Sequence, residues 1–588
     1  MLENGKLKHL KEISNKLKQD FCGLDEVIDK IISAITAWYI MPSLQTRPLI
    51  INLWGLTGTG KTALIRKLVE YLDFQDRFAE VNIPQQILSE RERLIRYLLN
   101  ESDLVEHQPG IILLDEFQAL RSKSDNPHQD ESKKSYQDIW QLLSDGKINN
   151  KFDFMTRLIS YMSDLKEANQ TFVDSFTKDN IKRLLGLQLT PKELFNTSSE
   201  ELMEIVNDAF INPKKYIKET DYTKTLIFIC GNLDSAYTMA NAITDIDINP
   251  DVFYEMTKNI NVLDIKEALQ DYFSPEQISR LGNIHVIYPS FNKKTYEEII
   301  NKRLKEIKDH VKEKINFNIN FNSSVTDFIF QNGIYPAQGT RPVYSTIAYC
   351  IESNIPKIII DSPENSNIDI NITSKDGKYY LNNIEVFSDI QNIRNKLNIE
   401  DIKIIAVHEA GHILANVYLR NSIPRFASAK AISNNQRGFV IDNDLEINRK
   451  VQTKQDLLKD IMVSLAGYCA EEVIFGFENI STGSRDDLGK ATSIALDMYR
   501  VYSMVDKNSI GWFNHPNIMA SNSNDKNNFQ LTDRQFATDK ILLECKDKVK
   551  QLLTDFNRNG ELIKLSDMLI ENDILTEKDI LEVVKKGK

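Results

Sequence analysis

Two short runs in this sequence hold residue types that do chemistry only at the spacing they have here. Gly55-Leu56-Thr57-Gly58-Thr59-Gly60-Lys61-Thr62 has the composition of a phosphate-binding loop. Its glycines let the backbone N–H groups of Gly55 to Gly60 converge on phosphates, at the positive end of the helix that follows. Lys61 is placed to reach the β- and γ-phosphates of ATP and Thr62 to ligand Mg²⁺. The second run, His408-Glu409-Ala410-Gly411-His412, puts two imidazoles on one helical face, able to share a Zn²⁺ ion. Glu409 then lies beside the metal-bound water and is the candidate general base for attack on a peptide carbonyl. The chain has only 8 histidines, which makes a chance pair with a correctly placed glutamate improbable.

These residues need elements to hold them. Pro48 to Leu53 reads as a strand entering the glycine loop, and Ala63 to Val69 as the helix leaving it, which is the context a phosphate loop requires. Gly110-Ile111-Ile112-Leu113-Leu114 is a second buried strand, and it ends in Asp115-Glu116. An acidic pair at the end of an apolar strand suits Asp115 to the Mg²⁺ shell and Glu116 to polarising the attacking water. A third apolar run, Thr225 to Cys230, ends in Gly231-Asn232. Ile402 to Val407 leads directly into the histidine motif. A charged helix is expected over 296–314, and alternation over 315–321 predicts a strand.

The order of these motifs resembles AAA+ ATPases of the Clp/HslU branch over roughly residues 20–385. In that family Asn232 matches the sensor-1 position, which helps to hold the water. Ser274-Pro275-Glu276-Gln277-Ile278-Ser279-Arg280 resembles the segment whose arginine enters the neighbouring subunit's nucleotide site, so Arg280 is the arginine-finger candidate. Gly333-Ile334-Tyr335-Pro336-Ala337-Gln338-Gly339-Thr340-Arg341-Pro342 is similar to the family's "Gly-Tyr-x-Pro…Gly-Ala-Arg-Pro" run, which implies that Arg341 reaches the γ-phosphate from the lid. Two departures stand out. The stretch from Phe117 to Gly231 is far longer than the usual connection, and 150–220 reads as an inserted helical subdomain. No aromatic–hydrophobic–Gly pore loop precedes Gly110; Ile87 and Leu88 are the substitutes on offer.

From about 400 to 588 the resemblance is to the FtsH peptidase domain, carried by Leu465 to Gly476 and by Ser481-Thr482-Gly483-Ser484-Arg485-Asp486-Asp487-Leu488. By position in that motif Asp487 is the implied third zinc ligand, with Asp486 its adjacent competitor and Glu471 and Glu472 behind it. Glu571 to Thr576 closes the tail in a similar way, and Tyr502-Ser503-Met504 replaces the family's Tyr-Gly-Met. The implied architecture is an α/β AAA+ domain with a parallel sheet, a small α+β lid, and a mainly α-helical zinc peptidase. The expected divisions are a helical lead at 1–45, the ATPase at 46–287, the lid at 288–390 and the peptidase at 398–588.

Length and composition agree with several soluble units: 588 residues, 41% hydrophobic and 27% charged. A net charge of −12, without basic–aromatic stretches, argues against a nucleic-acid partner. Five scattered cysteines, never spaced Cys-x-x-Cys, point to a reducing compartment, and no apolar run is long enough to span a bilayer. The expectation is a cytoplasmic ATP-dependent zinc metalloprotease without a membrane segment of its own. It would use Zn²⁺, ATP and Mg²⁺, act on protein substrates as a homo-oligomer, by resemblance a hexamer, and admit adaptor proteins as partners. The alternative is an ATP-driven remodelling chaperone whose zinc domain is structural or conditionally active.

Overall fold

The computed structural model describes residues 2–84, 99, 102–121, 137–148, 151–167, 175–185, 187, 189–216, 220–233, 236, 249–362, 367–375, 378–386, 399–430, 438–442, 451–505, 527–572 and 574–584. Ile87 and Leu88 lie outside them. The chain divides into two compact units. The first comprises Met1–Ala242, Phe253–Lys302 and Ala337–Pro342, and the second Ile243–Val252, Arg303–Pro336 and Val343–Lys588.

At the centre of the first unit is a five-stranded sheet, built from β1 (Leu49–Trp54), β2 (Phe78–Asn82), β3 (Ile111–Asp115), β4 (Leu226–Gly231) and β5 (His285–Ile287). The spatial order is β2-β3-β4-β1-β5, and every pairing is parallel. β4 is buried at all six positions and β3 at its first four. That is why both read as unbroken apolar runs: a parallel strand covered on both faces has no solvent side on which to place polar residues. Register brings Trp54 opposite Gly231 and Asn82 opposite Asp115, so the loops leaving β1, β3 and β4 emerge at one sheet edge. In open parallel sheets that edge is where ligands bind.

Two helices precede the sheet, α1 (Leu2–Asp20) and α2 (Asp25–Ile40). α2 buries Val27, Ile28, Ile31, Ile35 and Trp38, one face at helical spacing. α3 (Lys61–Tyr71) leaves the glycine loop through Gly60 at φ +87°, a left-handed conformation that suits glycine. Helices Lys151–Glu167, Ser175–Leu185, Pro191–Asn196 and Ser199–Ile211 fill the long connection between β3 and β4. They have a core of their own, including Phe154, Leu158, Ile181, Leu202 and Val206.

In the second unit, strand Asn318–Phe321 pairs in parallel with Asn367–Ile370, and a three-stranded antiparallel meander runs over 372–386. The remainder is mainly helical: α4 (Ile399–Ala415), α5 (Lys454–Phe475), α6 (Arg485–Arg500), α7 (Asn527–Arg558) and α8 (Glu561–Glu571). α5 starts on a capping box in which the Thr453 hydroxyl accepts from the Asp456 N–H while the Asp456 carboxylate accepts from the Thr453 N–H. α4 and α5 approach closely because Gly411 faces Ala466 and Ala470; a Cβ on Gly411 would lie 2.6 Å from Ala470 Cβ and 2.7 Å from Ala466 O. The tail returns as strand Leu575–Thr576, pairing with Phe426–Ser428. Among the described residues no helix is long and apolar enough to cross a membrane, and none of the five cysteines is in a disulfide.

Candidate functional sites

The first site forms where β1, β3 and β4 end. Lys61, although cationic, is buried. Its ammonium donates to Gly55 O at 2.9 Å, Leu56 O at 2.8 Å and Asn232 Oδ1 at 2.8 Å. Thr62 Oγ1 donates to Asp115 Oδ2 at 3.0 Å, so the two oxygens proposed for the Mg²⁺ shell share one position. Asn232 Nδ2 donates to Thr57 Oγ1 at 3.0 Å and to Glu116 Oε2 at 3.2 Å. Thr59 Oγ1 closes the loop on itself by donating to Leu56 O at 2.9 Å. A cationic donor and two acidic groups around a glycine loop at a helix N-terminus match the charge distribution of a nucleotide phosphate chain with its Mg²⁺.

The loop that carries Arg341 touches this site through its backbone. Thr340 donates to Gly58 O from both its N–H, at 3.0 Å, and its hydroxyl, at 2.9 Å. The approach is so close that a Cβ on Gly58 would stand 2.4 Å from Gln338 O, and one on Gly339 would stand 2.5 Å from Gly58 C. Arg341 itself is exposed at the start of helix Arg341–Thr346. Arg280 is exposed at the end of helix Pro275–Arg280, one turn after Glu276. Within this chain neither arginine is brought into the phosphate-loop cluster.

The second site lies where α4, α5 and α6 meet. His408 Nε2 and His412 Nε2 are 3.1 Å apart, and Asp487 Oδ2 stands 3.2 Å from the first and 3.3 Å from the second. The other ring nitrogen of each histidine is already committed. His408 Nδ1 is 2.7 Å from Glu471 Oε1 and His412 Nδ1 is 2.9 Å from Val463 O. A carbonyl oxygen and a carboxylate can only accept, so both Nδ1 atoms carry the proton and both Nε2 atoms present lone pairs. Three acceptors therefore converge with no donor among them, and only a cation resolves that. Ligands about 2.0–2.1 Å from a tetrahedral Zn²⁺ stand about 3.3 Å from one another, so the donor set fits zinc in both chemistry and spacing. Without a metal the same convergence recruits a proton. Burial pulls the His408 imidazole down, but the Asp487 and Glu471 carboxylates outweigh it and push it up to about 10. Asp487 is held far below the ordinary carboxylate range, its hydrogen bonds to the two histidines overriding its burial.

Glu409 is buried beside this cluster. Burial raises its carboxyl above the usual glutamate value, against the lowering pull of His408 and His412, which is the direction a general base working near neutrality needs. Gly438 lies against it, and a Cβ there would meet Glu409 Oε1 at 2.5 Å. Glu471, fully buried, also accepts the Ser481 N–H at 2.6 Å, which ties the start of the Asp487 segment to the histidine helix. Asp486 is exposed outside the cluster. Glu472 is turned away, paired with Lys546 at 3.0 Å and Lys550 at 2.7 Å.

Three residues that touch these sites carry no sequence signal of their own role: Gln118, Thr340 and Gly467. Gln118 Nε2 donates to Glu116 Oε2, and Gln118 Oε1 accepts the Asn232 N–H at 3.0 Å. Gly467 faces the His408 ring.

Comparison with known proteins agrees with this division of chemistry. Residues 396–583 match the model of peptidase family M41, residues 51–173 that of the ATPase family associated with various cellular activities (AAA), and residues 291–370 that of the C-terminal, D2-small domain of ClpB protein. Similar curated proteins include the ATP-dependent zinc metalloprotease YME1 homolog of Caenorhabditis elegans, 27% identical over 190 residues, covering 31% of this chain and 25% of that protein. The ATP-dependent zinc metalloprotease FtsH of Mycoplasma mobile is 28% identical over 197 residues (32% and 27%), and that of Lachnoclostridium phytofermentans 29% over 201 residues (33% and 31%). The matched region thus spans about a quarter to a third of the length of these relatives. The chain thus joins a region similar to peptidase family M41 to a region similar to AAA ATPases.

Proposed function

We propose that this protein is an ATP-dependent zinc metalloendopeptidase. One observation carries the reading. The His408–His412–Asp487 acceptor cluster, with Glu409 buried beside it, stands on the same chain as a phosphate loop whose Lys61, Thr62, Asp115, Glu116 and Asn232 form one network. Bound Zn²⁺ would supply a water acidic enough to lose its proton near neutrality. Glu409 would accept a proton there and give it to the leaving amine. Glu471 and the Val463 carbonyl hold the two imidazoles in the tautomer that ligates through Nε2. In the ATPase region Lys61 and the loop amides would bind the phosphates, Thr62 and Asp115 would hold Mg²⁺, and Glu116 with Asn232 would polarise and orient the attacking water.

Energy from ATP would unfold protein substrates and deliver them to the peptidase. Arg280, exposed at a helix end, is free of the chain's own phosphate-loop cluster, as a residue acting on a neighbouring subunit in a hexamer must be. Arg341 would reach the γ-phosphate when nucleotide draws its loop in. Five cysteines outside any disulfide suit a reducing compartment such as the cytoplasm.

The test is degradation of casein by the purified protein with ATP and Zn²⁺. Glu409→Gln should lower the rate by about 10²–10⁴-fold, the contribution of a general base. Cleavage that persists in Glu409→Gln would exclude this site as the protease. Wild-type ATP hydrolysis without any cleavage would favour an ATP-driven remodelling chaperone.

A further inference from the structure

Two carboxamides in the nucleotide site have orientations that follow from their neighbours alone. The Asn232 backbone N–H can only donate and lies 3.0 Å from Gln118 Oε1, so the Gln118 amide nitrogen faces the other way, onto Glu116 Oε2. Lys61 can only donate and lies 2.8 Å from Asn232 Oδ1, which turns Asn232 Nδ2 toward that same Glu116 oxygen at 3.2 Å. Two N–H donors therefore converge on Oε2 rather than Oε1, and this fixes the rotation of the Glu116 carboxylate.

The backbone explains why such anchoring is needed. Glu116 has φ +56°, a left-handed conformation that non-glycine residues seldom adopt and that persists where the surroundings over-determine it. Gln118 comes from the short turn Phe117–Leu120 that follows. Phe117 is fully buried in that turn, 5.6 Å from both the Trp140 and Phe273 rings, so the turn presents Gln118 from a fixed base.

We propose that Gln118 is a positioning residue for ATP hydrolysis: it ties the Glu116 carboxylate to the backbone of Asn232, so that this carboxylate and the side chain touching Lys61 are held as one unit. This rests on the reading of Glu116 as the group that polarises the attacking water. Glu116 Oε1 then meets the water, while Oε2 is held by the two amides.

The experiment is steady-state ATP hydrolysis by the full chain and by Gln118→Leu and Gln118→Glu, together with ATP affinity and melting temperature. A hydrogen bond to a charged group corresponds to about a tenfold change or more. Gln118→Leu should therefore lose about tenfold in kcat, with the KM for ATP within about twofold of wild type. Gln118→Glu keeps the size but sets a second carboxylate against Glu116, and its kcat should fall further. If Gln118 only filled space, Gln118→Glu would be the milder change; that order, or a kcat unchanged in Gln118→Leu, overturns the proposal. If Gln118→Leu does not fold, Gln118→Met gives the same comparison. A wild-type chain that hydrolyses no ATP would instead sink the underlying reading.

Discussion

Helix propensity and site geometry give opposite expectations for one substitution, Gly467→Ala. Gly467 lies in the middle of α5, where replacing glycine by alanine ordinarily stabilises a helix by about 0.5–1 kcal/mol. Here the added Cβ would stand 2.3 Å from His408 Nε2, 2.4 Å from Cε1 and 2.6 Å from Cδ2. Non-bonded contacts settle near 3.5–4.0 Å, so the ring must move by about 1 Å or more. It cannot do so freely, because Nδ1 is held by the buried Glu471 and Nε2 is the ligating atom. A displacement of about 1 Å in a reacting group can cost about 10²-fold, and mis-set ligands commonly lose 10–100-fold in metal affinity. Gly467→Ala should thus melt below wild type even in the metal-free state, because an overpacking cost of about 1–3 kcal/mol outweighs the propensity gain. Its zinc affinity, measured by chelator competition, should fall at least about tenfold, with peptidase activity following it. Zinc affinity equal to wild type would refute the argument that this glycine exists to admit the His408 ring.

Other consequences can be checked alongside it. Gly339→Ala strains a residue at φ +67° and drives its Cβ into the phosphate loop, so ATP affinity measured by titration calorimetry should fall about tenfold while peptide cleavage at the zinc site is unaffected. Asp487→Asn replaces a charged ligand with a neutral amide, and should lower zinc affinity by about tenfold or more in the same chelator competition. Glu472 is desolvated, yet its pairs with Lys550 and Lys546 hold its carboxyl below the ordinary value. Its contribution, about 1 kcal/mol, is therefore present above the unfolded carboxyl pKa near about 4.3 and lost as pH falls through the lower folded value. In thermal melts Glu472→Gln should be less stable than wild type at neutral pH, and the gap should close below about pH 4.

How legible each part was in the sequence follows from how local its cause is. The phosphate loop, the acidic pair at the end of β3 and the helix beginning before His408 are written in contiguous residues, and β3 up to Leu114 and β4 read as apolar runs because both faces are covered. The amphipathic α2 and the charged helix Lys293–Ile315 are equally local, a matter of helical spacing. Asp487 lies 79 residues from His408, and no spacing rule links the two; only likeness to a known motif singled it out from Asp486, Glu471 and Glu472. Gln118 and Gly467 were not legible at all. One is a glutamine in a turn and the other a glycine in a helix, and each acquires its part from a neighbour brought up by tertiary packing. The same holds for the Thr340 clasp on Gly58, which joins residues 282 apart.

The measurement that tests the central claim most directly is degradation of one stably folded protein by wild type, Glu116→Gln and Glu409→Gln, with ATP hydrolysis followed in the same reactions. A chain that couples the two sites should degrade the folded substrate only as wild type. Glu409→Gln should still hydrolyse ATP without cutting, and Glu116→Gln should cut a short unstructured peptide while leaving the folded protein intact. Degradation of the folded protein by Glu116→Gln at the wild-type rate would contradict the account.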